Sequence, residues 1–194
     1  FSCGHLNLEY ATQYKYLGLK LNEHMDMTKS ATILAKSGSR ALGAIMAKSR
    51  ANGGLSYEVY THLFDCLVAP VLHYSAGVWG TNKTVGAAAT IVQNKARRFY
   101  LGVGQHASNI ATQGDMCWVS VNTKQKVEAT RLWCRLKNMS EHRITKKIHL
   151  WALTQHNSWE YKMQRLLREN NKPNLITDGE ISGVRSILQS RPSY

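Results

Sequence analysis

Apolar residues recur every three or four positions along one stretch of the chain, and this spacing predicts a long amphipathic helix with a single apolar face. The residues that form the stripe are Met27, Ala31, Leu34, Gly38, Ala41, Leu42 and Ile45. Asp26 is a candidate N-cap and Gly53–Gly54 is a stop signal, so the helix should run for about six to seven turns. With the later helical stretches, the pattern predicts a mainly α fold, a short N-terminal β-hairpin followed by a bundle of about five to seven helices.

The residues before this helix alternate with a period of two. In the stretch 13–21, two tyrosines and Gly18 share one parity while the leucines share the other, which is typical of a half-buried strand. We expect the stretch 6–10 to pair with it as a hairpin. We also expect Gly18 to mark a point where another backbone passes close to the strand.

A second helical stretch begins at Ser56, a candidate N-cap, and ends at Trp79–Gly80. Pro70 interrupts it and should kink or split the helix, because proline cannot donate a backbone hydrogen bond. The residues predicted to face inward are Val59, Leu63, Leu67, Val71, Tyr74 and Val78.

A third helix is predicted over 85–101, with Gly102 as its stop. Lys95 and Arg98 should face outward. The residues predicted to face inward are Ile91, Val92, Ala96 and Phe99.

The rest of the chain is predicted as a loop followed by helices. The segments are a loop over 104–122, a helix from Thr123 as N-cap through Met139, a short helix from Ser140 to Trp151, and weaker helical stretches over 159–169 and 180–188. Because large aromatic side chains dominate core burial, we expect four tryptophans to be buried. These are Trp79, Trp118, Trp133 and Trp151.

The chain is strongly basic, with 25 Lys and Arg against 12 Asp and Glu and a net charge of +13. On the first helix, Lys29, Lys36 and Arg40 fall within about 40° of one another, nearly opposite the apolar stripe. A charge surplus of this size attracts phosphate polyanions, so nucleic acid is the leading class of partner. Ordinary solvated helices also carry Lys and Arg, and charge by itself leaves that interpretation open.

The residues needed for metal-dependent catalysis are not close together in the sequence. A polymerase or metal nuclease needs paired carboxylates to hold two divalent ions, whereas the four aspartates are widely separated and no Tyr-x-Asp-Asp occurs. The four cysteines lack the spacing of a zinc site, so we expect reduced thiols, an intracellular location and no cofactor in this chain. No stretch reaches the roughly 18 to 20 apolar residues of a membrane span. Because it starts Phe1-Ser2-Cys3-Gly4, we expect the chain to be part of a longer one.

Several motifs occur in an order that resembles one family. They are Tyr-Lys-Tyr-Leu-Gly-Leu at 14–19, Leu-Val-Ala-Pro-Val-Leu-His-Tyr-Ser-Ala-Gly-Val-Trp-Gly at 67–80, Arg97–Arg98 before Leu101–Gly102, and Gln-Gly-Asp-Met-Cys-Trp at 113–118. From about residue 6 to residue 140, the chain resembles the region that follows the palm in LINE-type, non-LTR retrotransposon reverse transcriptases. Two features depart from the family: Ser75 stands where the family usually has Gly, and the fingers and the catalytic Tyr-x-Asp-Asp palm are missing.

The resemblance implies a division of the chain into four segments. Residues 1–24 would be the end of the palm with its primer-grip hairpin, 25–105 a thumb-like helical bundle, 106–150 a loop and C-terminal helices, and 151–194 a weakly assigned helical tail. The parent chain would be an RNA-directed DNA polymerase that uses Mg²⁺, located in the nucleus or the cytoplasm. This chain would be no enzyme by itself.

The resemblance also implies partners and site residues. The chain would bind the primer–template duplex, RNA or DNA, without reading its sequence, and would contact the upstream palm and fingers but no membrane. The residues implied for nucleic-acid binding are Lys29, Lys36, Arg40, Lys95 and Arg98, and those implied for a primer-grip-like contact are Tyr16, Leu17 and Gly18. Tyr14 and Leu17 could equally fill core.

Two other functions stay open on the sequence. One is a stand-alone basic helical module that binds RNA or DNA. The other is a protein-interaction bundle whose charge only keeps it soluble. Binding that weakens steeply with salt for duplexes of unrelated sequence would favour the nucleic-acid functions over the bundle.

Overall fold

The computed structural model describes residues 2–3, 6–7, 10–24, 26–177 and 179. The chain is mainly helical after a short β segment, which confirms the predicted fold class. The strands are β1 (Ser2–Cys3), β2 (Leu6–Asn7), β3 (Gln13–Tyr16) and β4 (Leu19–Asn22). The helices are α1 (Thr28–Ala51), α2 (Tyr57–Leu63), α3 (Ala69–Leu72), α4 (Ala76–Trp79), α5 (Lys83–Leu101), α6 (Asn109–Asp115), α7 (Val121–Lys137), α8 (Ile144–Ala152), α9 (Trp159–Glu169) and α10 (Asn174–Thr177), with a π-helical turn at Phe64–Val68.

The stretch 13–21 is a hairpin and not the single strand that its alternation predicted. β3 and β4 pair antiparallel around a two-residue turn, with Tyr16 opposite Leu19. Leu17 and Gly18 have φ angles of 45° and 85°, as both central residues of a tight hairpin turn require. The alternation of residue types continues through both β3 and β4, so the sequence pattern did not reveal the turn between them. The expected pairing of 6–10 with this stretch is also wrong for the part described, because Leu6–Asn7 pairs with Ser2–Cys3.

Helix α1 has the predicted extent and the predicted buried face. Ala31, Gly38 and Leu42 are among its buried residues, and the helix gives way to Gly53 at φ 68°. The predicted N-cap is displaced by one residue, since Met27 holds the cap position without a side-chain bond. Asp26 nevertheless accepts the Thr28 N–H at 2.9 Å, and hydrogen bonds from Thr28 lower the pKa of the Asp26 carboxyl.

The segment from Ser56 to Gly80 buries a different face from the one predicted. Ser56 caps α2, and the chain is split around Pro70 as expected. The predicted inward residues Val59, Leu67, Tyr74 and Val78 are exposed. The residues that are buried instead are Tyr60, Phe64, Val68, Leu72, Ala76 and Trp79. These residues are spaced almost always four positions apart. They nevertheless lie on one face, because a π-helical turn contains more residues than an α-helical turn.

Helix α5 follows its prediction except at two residues, Ile91 and Arg98, of which Arg98 was predicted to face outward and is half-buried. Val92 and Ala96 are buried and Phe99 is partly buried, and Gly102 ends the helix at φ 65°. Ile91 is 69% exposed, so its predicted inward position is wrong. Ile91 lies 100° from Val92 around the helix axis, which places it beyond the edge of the buried face.

Later in the chain, several predicted boundaries are wrong, because serines cap α6 and α7 before the predicted end of the loop and the N-cap position of α8 is Arg143. Ser108 caps α6 inside the predicted loop, and Ser120, not Thr123, caps α7. Helix α8 begins at Ile144, four residues after Ser140.

Near the C-terminus, the predicted extent of one helix is confirmed, and the predicted burial of one tryptophan is wrong. The predicted stretch 159–169 coincides with α9. Trp79, Trp118 and Trp133 are buried as expected, whereas Trp151 is 65% exposed. The predicted helix 180–188 lies outside the described residues.

Two large hydrophobic clusters and a smaller one at the start of α1 organise the packing of the described residues. The first cluster joins α1, α2, the π-helical turn and α5 around Leu42, Tyr60 and Phe64, and reaches Trp118 and Val121. The second cluster joins α7, α9 and α10 around Trp133. Gly80 and Gly86 lie against Gln125 of α7, at Gly80 so closely that a Cβ atom would overlap the Gln125 carbonyl oxygen. None of the helices described is both long and apolar enough to span a membrane.

Candidate nucleic-acid interface

The exposed face of α1 carries three of the predicted binding residues. Lys29, Lys36 and Arg40 are all exposed, and the opposite face of the helix holds buried residues such as Ala35 and Leu42. The Arg40 guanidinium donates to the Ser37 hydroxyl at 3.0 Å. The first turn of α1 contains no acidic residue, although the Asp26 carboxylate at the start of the helix lies near Lys29.

Helix α5 exposes two cations, Lys83 in its first turn and Lys95 further along, and uses two others structurally. The Arg98 guanidinium donates to the Ala107 carbonyl at 3.2 Å and to Asn109 Oδ1 at 2.6 Å, so it holds the segment before α6. With Nη2 engaged and Nε buried, only the Nη1 of Arg98 remains for a phosphate, whereas all three ammonium donors of Lys95 remain.

Arg97, the other member of the arginine pair, is only 2% exposed. It donates to the Asn94 side chain, while its Nε and Nη1 atoms have no partner in the described part of the chain. Burial and the neighbouring Arg98 lower the pKa of the Arg97 guanidinium. Arg97 thus belongs to the packed side of α5.

Arg50 connects the exposed surfaces of α1 and α5. Its guanidinium carbon lies 5.0 Å from the centre of the Phe99 ring, a cation–π contact that links the C-terminal ends of the two helices. At the other end, Val85 of α5 shares a small cluster with Met27 and Ala31 of α1. The two helices therefore run parallel and lie side by side. Sequence reasoning missed Arg50, although its position in the last turn of α1 was visible.

The primer-grip-like residues lie at the tip of the β3–β4 hairpin. Tyr16 is 55% exposed and Leu17 is 71% exposed. A Cβ atom on Gly18 would meet nothing within 4 Å, so this glycine serves the turn's positive φ and not a close backbone approach. The expected backbone neighbour of Gly18 is thus absent from the described residues. Leu17 is strained, because a left-handed conformation is costly for a residue with a Cβ atom.

The hairpin is attached firmly to the helices. The Ser30 hydroxyl accepts the Lys20 N–H at 2.8 Å and donates to the Lys20 carbonyl at 2.9 Å. The Tyr74 hydroxyl donates to the Leu17 carbonyl at 2.7 Å. Leu19 packs with Met27 in the small cluster at the start of α1. The hairpin tip and the cationic face of α1 therefore have a fixed relation, which the sequence did not reveal because Ser30 looks like an ordinary helix residue.

Acidic side chains are dispersed over the described surface. Asp65 pairs with Lys124 at 2.9 Å, and Glu128 pairs with Arg131. Within the part of the chain that the structure describes, no group of three His, Cys, Asp or Glu side chains forms a possible metal site. The geometry suits binding of an anionic polymer along α1 and α5. Comparisons of the chain with protein-family models, with curated proteins and with solved structures found no match.

Proposed function

We propose that this chain is the non-catalytic part of a LINE-type reverse transcriptase that follows the palm, and that it holds the primer–template duplex. In this proposal the exposed cations of α1 and α5 contact backbone phosphates without reading sequence. The observation that carries it is the cationic face of α1, whose Lys29, Lys36 and Arg40 are exposed next to a hairpin fixed by Ser30. Nucleotide addition, with its Mg²⁺ ions, belongs to the parent chain.

The motifs that carry the resemblance occupy positions with backbone requirements, and this supports the proposal. Ser75, where the family usually has glycine, adopts φ 57° and ψ 18°, a left-handed conformation that glycine takes at no steric cost. Gly80 lies against the Gln125 carbonyl where no side chain fits. Pro70 lies in the first turn of α3, where its missing N–H costs little.

The hairpin tip adds a second contact to the proposal. Tyr16 and Leu17 project from a turn that Tyr74 fixes through the Leu17 carbonyl. Exposed apolar residues in a strained turn are often functional. In the parent enzyme this tip would touch the primer end while α1 holds the duplex behind it.

The test is a triple variant, Lys29→Gln, Lys36→Gln and Arg40→Gln, of the full chain. It should weaken binding of 20-base-pair duplexes of unrelated sequence to similar extents, and it should flatten the slope of log affinity against log salt by up to about three units. Unfolding should be unchanged, because all three side chains lie opposite the buried face. Fluorescence anisotropy over a salt series measures both quantities.

The matched control removes the same charge elsewhere, through Lys147→Gln, Lys162→Gln and Arg168→Gln on α8 and α9, where all three residues are exposed. The control should keep most of the salt slope. Equal slopes for the two triple variants would reject α1 as the binding face.

A further inference from the structure

A cavity of about 570 Å³ lies where α7 ends and the chain turns into α8. Its lining residues are Arg131, Arg135, Asn138, Met139, Ser140 and Arg143. Three arginines thus surround a concave site whose size is in the range of small-molecule pockets. The cavity lies on the second cluster's side of the molecule, whereas α1 packs on β4, α3, the π-helical turn and α5.

Among the residues that the structure describes, two of the three cavity arginines have no acidic partner, although Glu141 lies in the same turn as Arg143. Arg131 is paired with Glu128. Arg135 and Arg143 are exposed and make no side-chain hydrogen bond or ion pair with any residue that the structure describes. Guanidinium groups remain protonated and match the geometry of phosphate oxygens in pairs. The cavity therefore suits a phosphate group.

A purely structural role for these arginines is already filled by another residue. Cations near a helix C-terminus often bind its last carbonyl groups. At the end of α7, Lys146 does this, since its Nζ donates to the carbonyls of Leu136 at 3.3 Å and Lys137 at 2.5 Å. Arg135 and Arg143 are left facing the cavity and solvent.

The size of the cavity favours one nucleotide over a duplex. A duplex presents a broad surface, which suits an exposed helix face such as α1, whereas one nucleotide of a single strand can enter a concave site. Met139 supplies an apolar contact, and guanidinium planes stack on bases. Phosphate and base can therefore be bound together in this cavity.

We propose that this cavity binds one nucleotide of a single-stranded nucleic acid, with the phosphate between Arg135 and Arg143 and the base against Met139. The inference depends on the proposed function only for nucleic acid as the class of partner. It assigns a second binding site, separate from the α1 face, to the end of α7.

The test uses the full chain with Arg135→Gln and Arg143→Gln, and a fluorescently labelled single-stranded RNA of 12 nucleotides as the probe. The dissociation constant for this RNA should rise about tenfold, because a phosphate contact and a stacked base are lost together. The dissociation constant for a 20-base-pair duplex should rise by less than about twofold. Met139→Ala should weaken RNA binding without changing the salt slope. The control, Lys162→Gln with Arg168→Gln, removes equal charge from exposed positions on α9.

Three outcomes would overturn the cavity proposal, with melting temperature used to verify folding. The first is an RNA affinity that falls no more than in the control. The second is an equal loss for RNA and duplex. The third is competition by a poly-glutamate peptide as strong as that by RNA of equal charge, which would mean that the cavity selects only negative charge. Loss of duplex binding in the α1 triple variant is a separate result, so the two proposals can fail independently.

Discussion

Helices α1 and α8 distribute their polar and apolar residues in opposite ways. Helix α1 buries Leu42 and Ile45 and exposes its cations. Helix α8 exposes Ile144 and Ile148 and buries Lys146 and His149. The buried cation is tolerated because α7 ends beside it and offers backbone carbonyls as partners. The buried face of each helix therefore depends on its neighbours. Helix α1 buries apolar side chains against apolar side chains, and α8 buries a lysine where backbone carbonyls accept its hydrogen bonds.

The largest expected effect tests the apolar side of this comparison. Leu42 is fully buried at the centre of the first cluster. Leu42→Ala should lower the free energy of unfolding by about 2–5 kcal/mol, because it leaves a cavity among side chains that cannot all move inward. Urea denaturation followed by circular dichroism measures this loss. A loss below about 0.5 kcal/mol, the range of surface changes, would show that the face of α1 is not packed as described.

The next effect tests whether the buried cation of α8 stabilises the fold. Lys146→Ala removes the donor that satisfies the Leu136 and Lys137 carbonyls. It should lower the free energy of unfolding by about 1–3 kcal/mol. The adjacent exposed Lys147 is the control, since Lys147→Ala should change stability by less than about 0.5 kcal/mol. Equal effects in the same denaturation assay would contradict a special role for Lys146.

The smallest effect concerns the buried imidazole of α8. Burial lowers the pKa of His149, although Glu160, whose Oε1 lies 3.5 Å from Nδ1, acts in the opposite direction. The unfolded chain then binds a proton that the folded chain does not, so stability is complete above the unfolded pKa of about 6.5 and falls as the pH drops below it.

The measurement is the free energy of unfolding between pH 7 and pH 5, in the wild type and in His149→Gln. In the variant, the free energy of unfolding should change less steeply with pH, by up to about 1.4 kcal/mol per pH unit. Part of the slope should remain, since burial lowers the pKa of His73 to about 4 and this acts in the same direction. A variant with the wild-type slope would show that folding does not change the pKa of His149.

The same comparison explains which parts of the fold the sequence could predict. In α1, spacing and polarity agree, and its extent, its buried face and the exposed positions of Lys29, Lys36 and Arg40 were all predicted. In α8, the inward lysine depends on where α7 ends, which local sequence does not reveal. The buried face after Ser56 was missed because the π-helical turn changes the spacing.

For the candidate site, the sequence predicted the exposed positions on the helices but not the backbone turn or the long-range contacts. Exposed Lys29 and Lys36 follow from helical periodicity. The turn at Leu17 and the use of Arg98 to hold Ala107 depend on backbone geometry and on contacts distant in the sequence.

The bond between Ser30 and Lys20 also protects the edge of the sheet. Lys20 lies opposite Lys15, and both of its backbone groups bind Ser30, so they are not free to pair with a strand from another molecule. Open strand edges promote edge-to-edge aggregation, and natural proteins block them with lysines or with covering segments. Here the first turn of α1 covers the edge. The serine that fixes the hairpin thus also helps to keep a short, exposed sheet from polymerising.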